Sequence, residues 1–450
     1  MNALLIILVL TFVGSYGWAM RGTVIGGEKG AMLPGLFIGM TLALIAGGDI
    51  ARNFWIPAAA GLAGMSFGGI EPYGDTIHMA TERSRGKYNP KIGFTGLAVK
   101  GALWFSVGLG LIGLSLSAMG GKFSAKEIII FCVLIPVSQL LGYLIFNTPY
   151  KPDEDKHPRI WFSFESREEW GSNAGITVLI IVFSLIKKDI LTLVMCLSGI
   201  VFGAVGWIVS IIFYRHIMYE TCLLGKLSKR FVFESWKTME FTLGAFGGLG
   251  AAVAYLTAKG EFDKVNADIA LNGFNPLAGY EKYAIAAMAV FSLALFIINI
   301  IEHHWDSTDK KYNSFVMDLI ERPFFNVLPL FFILLCSLPA AKLMTLYMVL
   351  FALSLKLSFD GLKKNQHNTL FTVIFTVICA AVFILDVVLG GFDAKWIYLG
   401  GCLPYIVAEV FRLVYKNKRF TVFSFLKERH IVMGYMIIQA IIITVAAFLI

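Results

Sequence analysis

The sequence predicts an all-α membrane protein, a polytopic bundle of about 12–14 transmembrane helices, and three observations lead to this prediction. Of the 450 residues, 57% are hydrophobic and only 15% are charged, with a mean hydropathy of +0.74. Soluble domains are about 45–50% apolar and about 25% charged. Apolar runs of roughly the 20 residues that cross a bilayer recur along the whole chain. The segments between these runs are short, so no soluble domain is predicted.

Fourteen apolar runs are candidate spans. The first begins at residue 3, and because no Lys or Arg precedes Arg21, it is unlike a secretory signal with a basic start. We therefore expect an uncleaved first span. The run 175–186 is short and Pro339 separates two adjoining runs, so twelve or thirteen spans would also fit. The candidate spans are 3–19, 31–48, 54–72, 94–118, 128–147, 175–186, 190–213, 239–258, 283–301, 324–339, 341–359, 369–391, 396–414 and 431–450.

The distribution of positive charge predicts the orientation in the membrane. The chain has 38 Lys and Arg residues, and most of those outside the spans lie in the odd-numbered loops. By the positive-inside rule these loops are cytoplasmic and both termini are extracytoplasmic. The net charge of +8 is then explained by topology and by contact with anionic lipid, so membrane lipid is the expected partner and nucleic acid is not.

Cysteine and histidine patterns predict neither a disulfide framework nor a metal site. The six cysteines are scattered and form no C-x-x-C, and the seven histidines include no H-E-x-x-H. Glu71, Asp75 and His78 contain ligand atoms, but their spacing is not diagnostic of any metal. We therefore predict no bound metal and no cofactor.

A weak internal repeat divides the first half of the chain. At an offset of 137 residues two lysines and three pairs of glycines match, and at 140–141 residues an E-x-G motif and one more glycine match. This predicts two parallel four-span, glycine-rich units, 1–127 and 128–258, followed by a hydrophobic block, 283–450. Chance is the alternative, because 44 residues are glycine. The matched pairs are Gly69 and Gly206, Lys100 and Lys237, Gly110 and Gly247, Gly113 and Gly250, Glu28 and Glu169, Gly30 and Gly171, and Gly35 and Gly175.

Charged residues at the join of the first two spans are the strongest candidates for a site. Arg21, Glu28 and Lys29 lie among five glycines in a segment that can break the helix and expose backbone N–H groups. Irregular backbone at membrane depth is tolerated where it lines a cavity. We expect Arg21 and Lys29 to bind substrate and Glu28 to carry a coupling charge. The alternative is an interfacial turn with snorkelling bases.

A second candidate segment follows the third span. Glu71 precedes Pro72, and Asp75 and His78 are three residues apart, on one face if a helix resumes there. We expect Glu71, Asp75 and His78 to relay protons or bind an ion, and Tyr73 to bind substrate. A solvated helix end is the alternative.

The two matched lysines are the third candidate. Lys100 lies about two turns into its predicted span, and Lys237 is followed by Glu240 at i+3, which predicts an intrahelical pair. We expect Lys100 and Lys237 to contact substrate and Glu240 to carry coupling charge, with Glu28 or Glu71 as the partner of Lys100. Snorkelling to the cytoplasmic surface is the alternative for Lys100.

The loop from residue 149 to residue 173 mixes charged and aromatic residues. This mixture is typical of an amphipathic segment at the membrane interface and also of a cap over a cavity. Because the E-x-G motif recurs here, we include Arg167 as a substrate contact and Glu169 as a coupling residue.

The N-terminal motifs resemble one group of membrane proteins. The pattern W-x-x-R-G-x-x-x-G-G-E-x-G-A-x-x-P-G, with F-G-G-x-x-x-Y-G and R-E-x-W-G later, is similar to an uncharacterised family of polytopic bacterial inner-membrane proteins of the Bacteroidetes and Planctomycetes type. The resemblance covers about the first half of the chain. It implies a bacterial inner-membrane location and a site built from these motifs, and it carries no activity.

Parallel repeats, broken glycine-rich segments and charge inside the membrane favour a secondary transporter. Its substrate would be a small polar or anionic organic solute, such as a carbohydrate derivative, coupled to H⁺ or Na⁺. The alternative is a membrane-embedded enzyme that acts on a lipid-linked or acyl substrate at the cytoplasmic face. A scaffold protein without a substrate is the third interpretation. The oligomeric state is left open.

Overall fold

A computed structural model of the chain describes residues 2–21, 31–69, 73–82, 88–149, 158, 160–163, 168–223, 225–226 and 235–272. Within these ranges the regular elements are helices, so the predicted all-α class is confirmed. The predicted spans from residue 283 onward, and the block 283–450, lie outside the described residues. The helices are α1 (Ala3–Met20), α2 (Met32–Ala46), α3 (Gly48–Arg52), α4 (Trp55–Gly69), α5 (Gly74–Thr81), α6 (Pro90–Met119), α7 (Ala125–Phe146), α8 (Trp170–Lys187), α9 (Ile190–Met218), α10 (Ser235–Thr257) and α11 (Lys259–Asn272).

Eight of these helices coincide with the first eight predicted spans. In the described part of the chain, α6, α7, α8, α9 and α10 are long and apolar enough to cross a membrane, and α1, α2 and α4 are shorter apolar helices. This is the architecture of a multi-pass membrane protein. The span predicted as short, 175–186, is longer than predicted because α8 begins at Trp170.

Helix α6 is the centre of the bundle. It packs against α4, α5, α8 and α9, while α10 packs against α1 and α9, and α7 packs against α8. Most of α6 is buried. In contrast, α7 exposes apolar side chains such as Val133, Leu140 and Ile145, a surface suited to lipid.

Glycines allow several helix pairs to approach closely. A Cβ atom on Gly35 of α2 would lie 2.0 Å from the carbonyl oxygen of Gly61 in α4, and one on Gly203 of α9 would lie 2.1 Å from that of Gly101 in α6. Small residues replace the missing hydrophobic drive at such interfaces in a membrane. Gly35 and Gly203 are therefore points at which two helices touch through their backbones.

Two features of the loops differ from the prediction. The segment 259–282, which lies between two predicted spans and was assigned no helix, contains α11, which buries Phe262, Val265 and Ile269 on one side. Helix α6 begins four residues before the predicted span, because Asn89 caps it by accepting a hydrogen bond from the backbone N–H of Ile92 and Pro90 fits its first turn. The two-unit repeat stays a prediction.

Asp189 fixes the tight turn between α8 and α9. Lys188 has a φ of 51°, and Asp189 then caps α9. Its Oδ1 accepts hydrogen bonds from the Ser117 hydroxyl at 2.7 Å and from the Thr192 backbone N–H at 3.2 Å, and its Oδ2 accepts one from the Thr192 hydroxyl. Burial raises the pKa of Asp189 above its ordinary value, although the hydrogen bonds from Thr192 and Ser117 lower it.

We expect Asp189→Asn to weaken the pH dependence of stability. A raised pKa means that the folded protein keeps a proton that the unfolded chain has already lost, so this group makes stability fall as pH rises above about 4. Asparagine can still cap α9 but does not titrate. The thermal midpoint in detergent, measured from pH 4 to pH 8, should fall less in the variant. Parallel curves for the two proteins would contradict this assignment.

Candidate functional site

The short helix α5 lies at the end of the bundle where α1 and α4 finish and α6 and α10 begin. It is separate from α4, and it buries Thr76, Ile77, Met79, Ala80 and Thr81. The condition under which Asp75 and His78 share a helix, one that begins after Pro72, is therefore met. Although only eight residues long, α5 brings polar side chains to two buried cations.

The first buried cation is Arg21, at the end of α1, with an exposed fraction of only 2%. Its Nη1 donates a hydrogen bond to the Tyr73 hydroxyl at 2.5 Å. Its Cζ lies 5.6, 5.0 and 5.3 Å from the ring centroids of Trp18, Tyr73 and Trp104, within the range of cation–π attraction. The faces of these aromatic rings thus take the place of much of the water that would surround an exposed arginine.

Four aromatic side chains form what we call the aromatic cluster: Trp18, Tyr73 and Trp104, which contact Arg21, and Trp207, which packs on Tyr73. Ring centroids are 4.9 Å apart for Trp18 and Trp104, 5.9 Å for Tyr73 and Trp104, and 5.2 Å for Tyr73 and Trp207. Helices α1, α6 and α9 each supply a tryptophan. The cluster therefore requires the assembled bundle.

A buried ion pair lies beside the aromatic cluster. Lys237 donates a hydrogen bond to Glu240 one turn later in α10, as predicted, and a second one to the Ala19 carbonyl oxygen at 3.2 Å. Trp236 Nε1 donates to the other oxygen of Glu240 at 3.2 Å. Glu240, which is 1% exposed, also attracts Arg21 electrostatically. Arg21, Lys237 and Glu240 together carry a net charge of +1.

The second buried cation is Lys100, about three turns into α6. Its Nζ lies 3.1 Å from Glu168 Oε1 and donates a hydrogen bond to the Thr76 hydroxyl at 2.9 Å. The Lys100 side chain is 0% exposed and that of Glu168 is 2% exposed. Snorkelling of Lys100 to the surface is therefore ruled out, and among the described residues its carboxylate partner is Glu168.

The segment before α8 supplies Glu168 and folds back into the bundle. Phe162 is buried against Gly96 of α6, and its backbone N–H donates to Glu168 Oε2 at 2.7 Å. Ser163 donates to Asp75 Oδ2 of α5 at 2.5 Å. Of the two interpretations of this loop, the described part of it fits a cap over the bundle end.

Burial changes the acid strength of Glu168. It raises the pKa of this carboxyl above its ordinary value, although Lys100 and the Phe162 N–H lower it. The carboxyl consequently binds a proton at a higher pH than an exposed glutamate does. Protonation would neutralise Glu168 and weaken its electrostatic attraction to Lys100.

The structure brings together six of the predicted site residues and separates others. The six, all at the α5 end, are Arg21, Tyr73, Asp75, Lys100, Lys237 and Glu240. His78 points elsewhere: its Nδ1 lies 2.5 Å from Glu82 Oε1, so among the described residues its carboxylate partner is Glu82 and not Asp75. Glu169 is buried at the start of α8. The predicted site residues that lie outside the described residues are Glu28, Lys29, Glu71 and Arg167.

Sequence reasoning missed Glu168 and two tryptophans of the site. The E-x-G motif directed attention to the neighbouring residue, Glu169. Trp104 follows Lys100 by four residues and so shares its helix face, which is a signal that was available. Trp207 lies in an apolar run, and no local pattern distinguishes it from a lipid-facing residue.

No group of three His, Cys, Asp or Glu side chains that could hold a metal ion occurs within the described ranges. The chemistry that these side chains offer is the binding of an anion near Arg21 and the uptake of a proton at Glu168.

Comparisons with protein families, with curated proteins and with solved structures gave no match for this chain, so its function is inferred from the site alone.

Proposed function

We propose that the chain is a secondary transporter of a small polar or anionic organic solute, coupled to H⁺ or Na⁺. The observation that carries this proposal is the short helix α5 with Tyr73 before it, a mostly buried segment at one end of the bundle that contacts two buried cations, Arg21 and Lys100. Broken helices with buried charge are a recurring feature of transporter binding sites. A bacterial inner-membrane location with the site on the cytoplasmic side is part of the same proposal.

Arg21 and Tyr73 would bind the solute, while the buried carboxylates would carry the coupling charge. Glu168 joins Glu240 in this second role, because its pKa is raised and its partner is a buried lysine. This favours H⁺ over Na⁺ as the coupling ion. The roles expected of Glu28, Lys29, Glu71 and Arg167 remain predictions.

One observation favours a second candidate, a membrane-embedded enzyme acting on a lipid-linked or acyl substrate. The described site residues lie at a single end of the bundle, the end predicted to face the cytoplasm. An enzyme acting at that face needs only one access route, whereas a transporter must open to both sides.

Uptake by proteoliposomes tests the proposal. Vesicles would be offered radiolabelled lactate, gluconate or glucose 6-phosphate, with and without an inward proton gradient. We expect the gradient to drive accumulation of at least one of these probes in the wild type, and Glu168→Gln to abolish this effect because it removes the titrating carboxyl.

Glu261→Gln is the matched control, since Glu261 is paired only with Lys264 at an exposed position on α11 among the described residues. It should accumulate solute like the wild type. Gradient-driven accumulation that survives Glu168→Gln would contradict the coupling role. Consumption of vesicle lipid without uptake of any probe would favour the enzyme.

A further inference from the structure

Two buried N–H groups, one on Arg21 and one in the aromatic cluster, have no acceptor in the described part of the chain. They are Nε of Arg21 and Nε1 of Trp207, and neither has a hydrogen-bond partner among the described residues. The two side chains are 2% and 1% exposed. Leaving such a donor unsatisfied is costly, and buried donors are normally paired in native proteins. Two of them at one site therefore call for an explanation.

Both side chains pack on the same ring. The Arg21 Cζ lies 5.0 Å from the Tyr73 ring centroid, and the Trp207 ring lies 5.2 Å from it. Other donors nearby are used: Trp104 Nε1 donates to the Met65 carbonyl oxygen at 2.8 Å, and Arg21 Nη1 donates to Tyr73. The unused hydrogen-bonding capacity is thus concentrated beside Tyr73.

The chemistry of these donors defines what they would bind. Aromatic rings surround the Arg21 guanidinium, which leaves its edge for hydrogen bonding, and that edge matches the oxygens of a carboxylate or a phosphate. The indole N–H can only donate. Arg21, Lys237 and Glu240 together carry a net charge of +1, which an anion beside Arg21 would balance.

We propose that Arg21 Nε and Trp207 Nε1 are the donors of an oxyanion subsite beside Tyr73, which takes a carboxylate or phosphate group. The proposal rests on the proposed function in one respect, that this group belongs to the transported solute. It adds Trp207 to the site as a contact of the anion.

The first test uses the protein without added anion. Trp207→Phe and Trp104→Phe remove the same part of a buried indole and leave similar space behind. Trp207→Phe removes a donor without a partner, whereas the matched control, Trp104→Phe, removes a donor that Met65 does use, so the thermal midpoint of Trp104→Phe should fall by about 2 °C more. A fall of the same size in Trp207→Phe would overturn the proposal.

The second test measures binding. Purified protein in detergent would be titrated with inorganic phosphate and with acetate, and the rise of the thermal midpoint would give the affinity. We expect one of them to bind to the wild type, and about tenfold weaker binding to Trp207→Phe and Arg21→Lys. Equal affinity in all three proteins would overturn the proposal. So would a wild type that binds neither anion in detergent and no anionic lipid in nanodiscs.

The source of the anion is resolved by nanodiscs. The wild type and Trp207→Phe would be compared in nanodiscs of phosphatidylglycerol and of phosphatidylcholine. If phosphatidylglycerol stabilises the wild type more than phosphatidylcholine does, and Trp207→Phe loses this difference, the subsite binds a lipid headgroup. In that case the oxyanion subsite is supported, and the proposal that a transported solute binds there is contradicted. If no such lipid effect is found, uptake that is unchanged in Trp207→Phe would contradict the subsite while leaving the transport function intact.

Discussion

Lys100→Met is expected to destabilise the helix bundle by about 3–5 kcal/mol at pH 8, because it leaves the buried carboxylate of Glu168 without its cation. The loss should be smaller at pH 5. Burial already raises the pKa of Glu168, and the carboxyl escapes the penalty when it takes up a proton. Unfolding in mixed SDS micelles at both pH values would measure the two losses.

The matched control is Lys187→Met. Lys187 pairs with Glu127 at half-exposed positions, so its loss should cost less than about 1 kcal/mol. The double variant Lys100→Met with Glu168→Gln should recover part of the stability, since both charges of the pair are gone. Equal losses for the two lysine variants would show that burial does not set the strength of the Lys100 pair.

Gly203→Ala is expected to separate α6 from α9 and to cost about 1–3 kcal/mol or more. The added Cβ would lie 2.1 Å from the Gly101 carbonyl oxygen and 2.9 Å from the Phe105 side chain. Backbone cannot rotate aside as a flexible side chain can, so the helices themselves must shift. Lys100 and Trp104 lie on the same helix as Gly101, and the site should therefore be disturbed too. Unfolding in mixed SDS micelles would measure the loss of stability.

The control for this helix contact is Gly260→Ala. Gly260 is an exposed residue of α11, and a Cβ there would meet nothing within 4 Å. Alanine at such a helical position should leave stability unchanged or raise it by up to about 1 kcal/mol. A loss at Gly260 as large as that at Gly203 would indicate that the effect arises from the backbone of glycine and not from the helix contact.

The positions of the membrane helices could be predicted because apolar runs report burial in lipid directly. Their ends were less predictable. The first turn of α6 is polar, and its start depends on the Asn89 cap. Helix α11 was missed because it is too polar to span, although Phe262, Val265 and Ile269 follow a helical spacing that a search for amphipathic helices would detect.

The candidate site was predictable only one residue at a time. Lys100 was identified because a lysine inside an apolar run is costly, and its partner was not, because 68 residues separate it from Glu168 and no local pattern spans that distance. Lys237 and Glu240 were paired correctly because one helical turn fixes their spacing. The aromatic cluster depends on three helices and could not be inferred from any one of them.

The long separation between Lys100 and Glu168 also constrains the order of events during synthesis. Chains emerge from the ribosome with the N-terminus first, so α6 leaves the ribosome before the segment that carries Glu168 does. At that moment the lysine carries an insertion cost of about 2.5–3.5 kcal/mol with no carboxylate from the later segment to offset it. The length of α6, 30 residues and mostly apolar, makes insertion favourable in spite of that cost. The nascent chain thus holds an unneutralised lysine until the segment before α8 arrives.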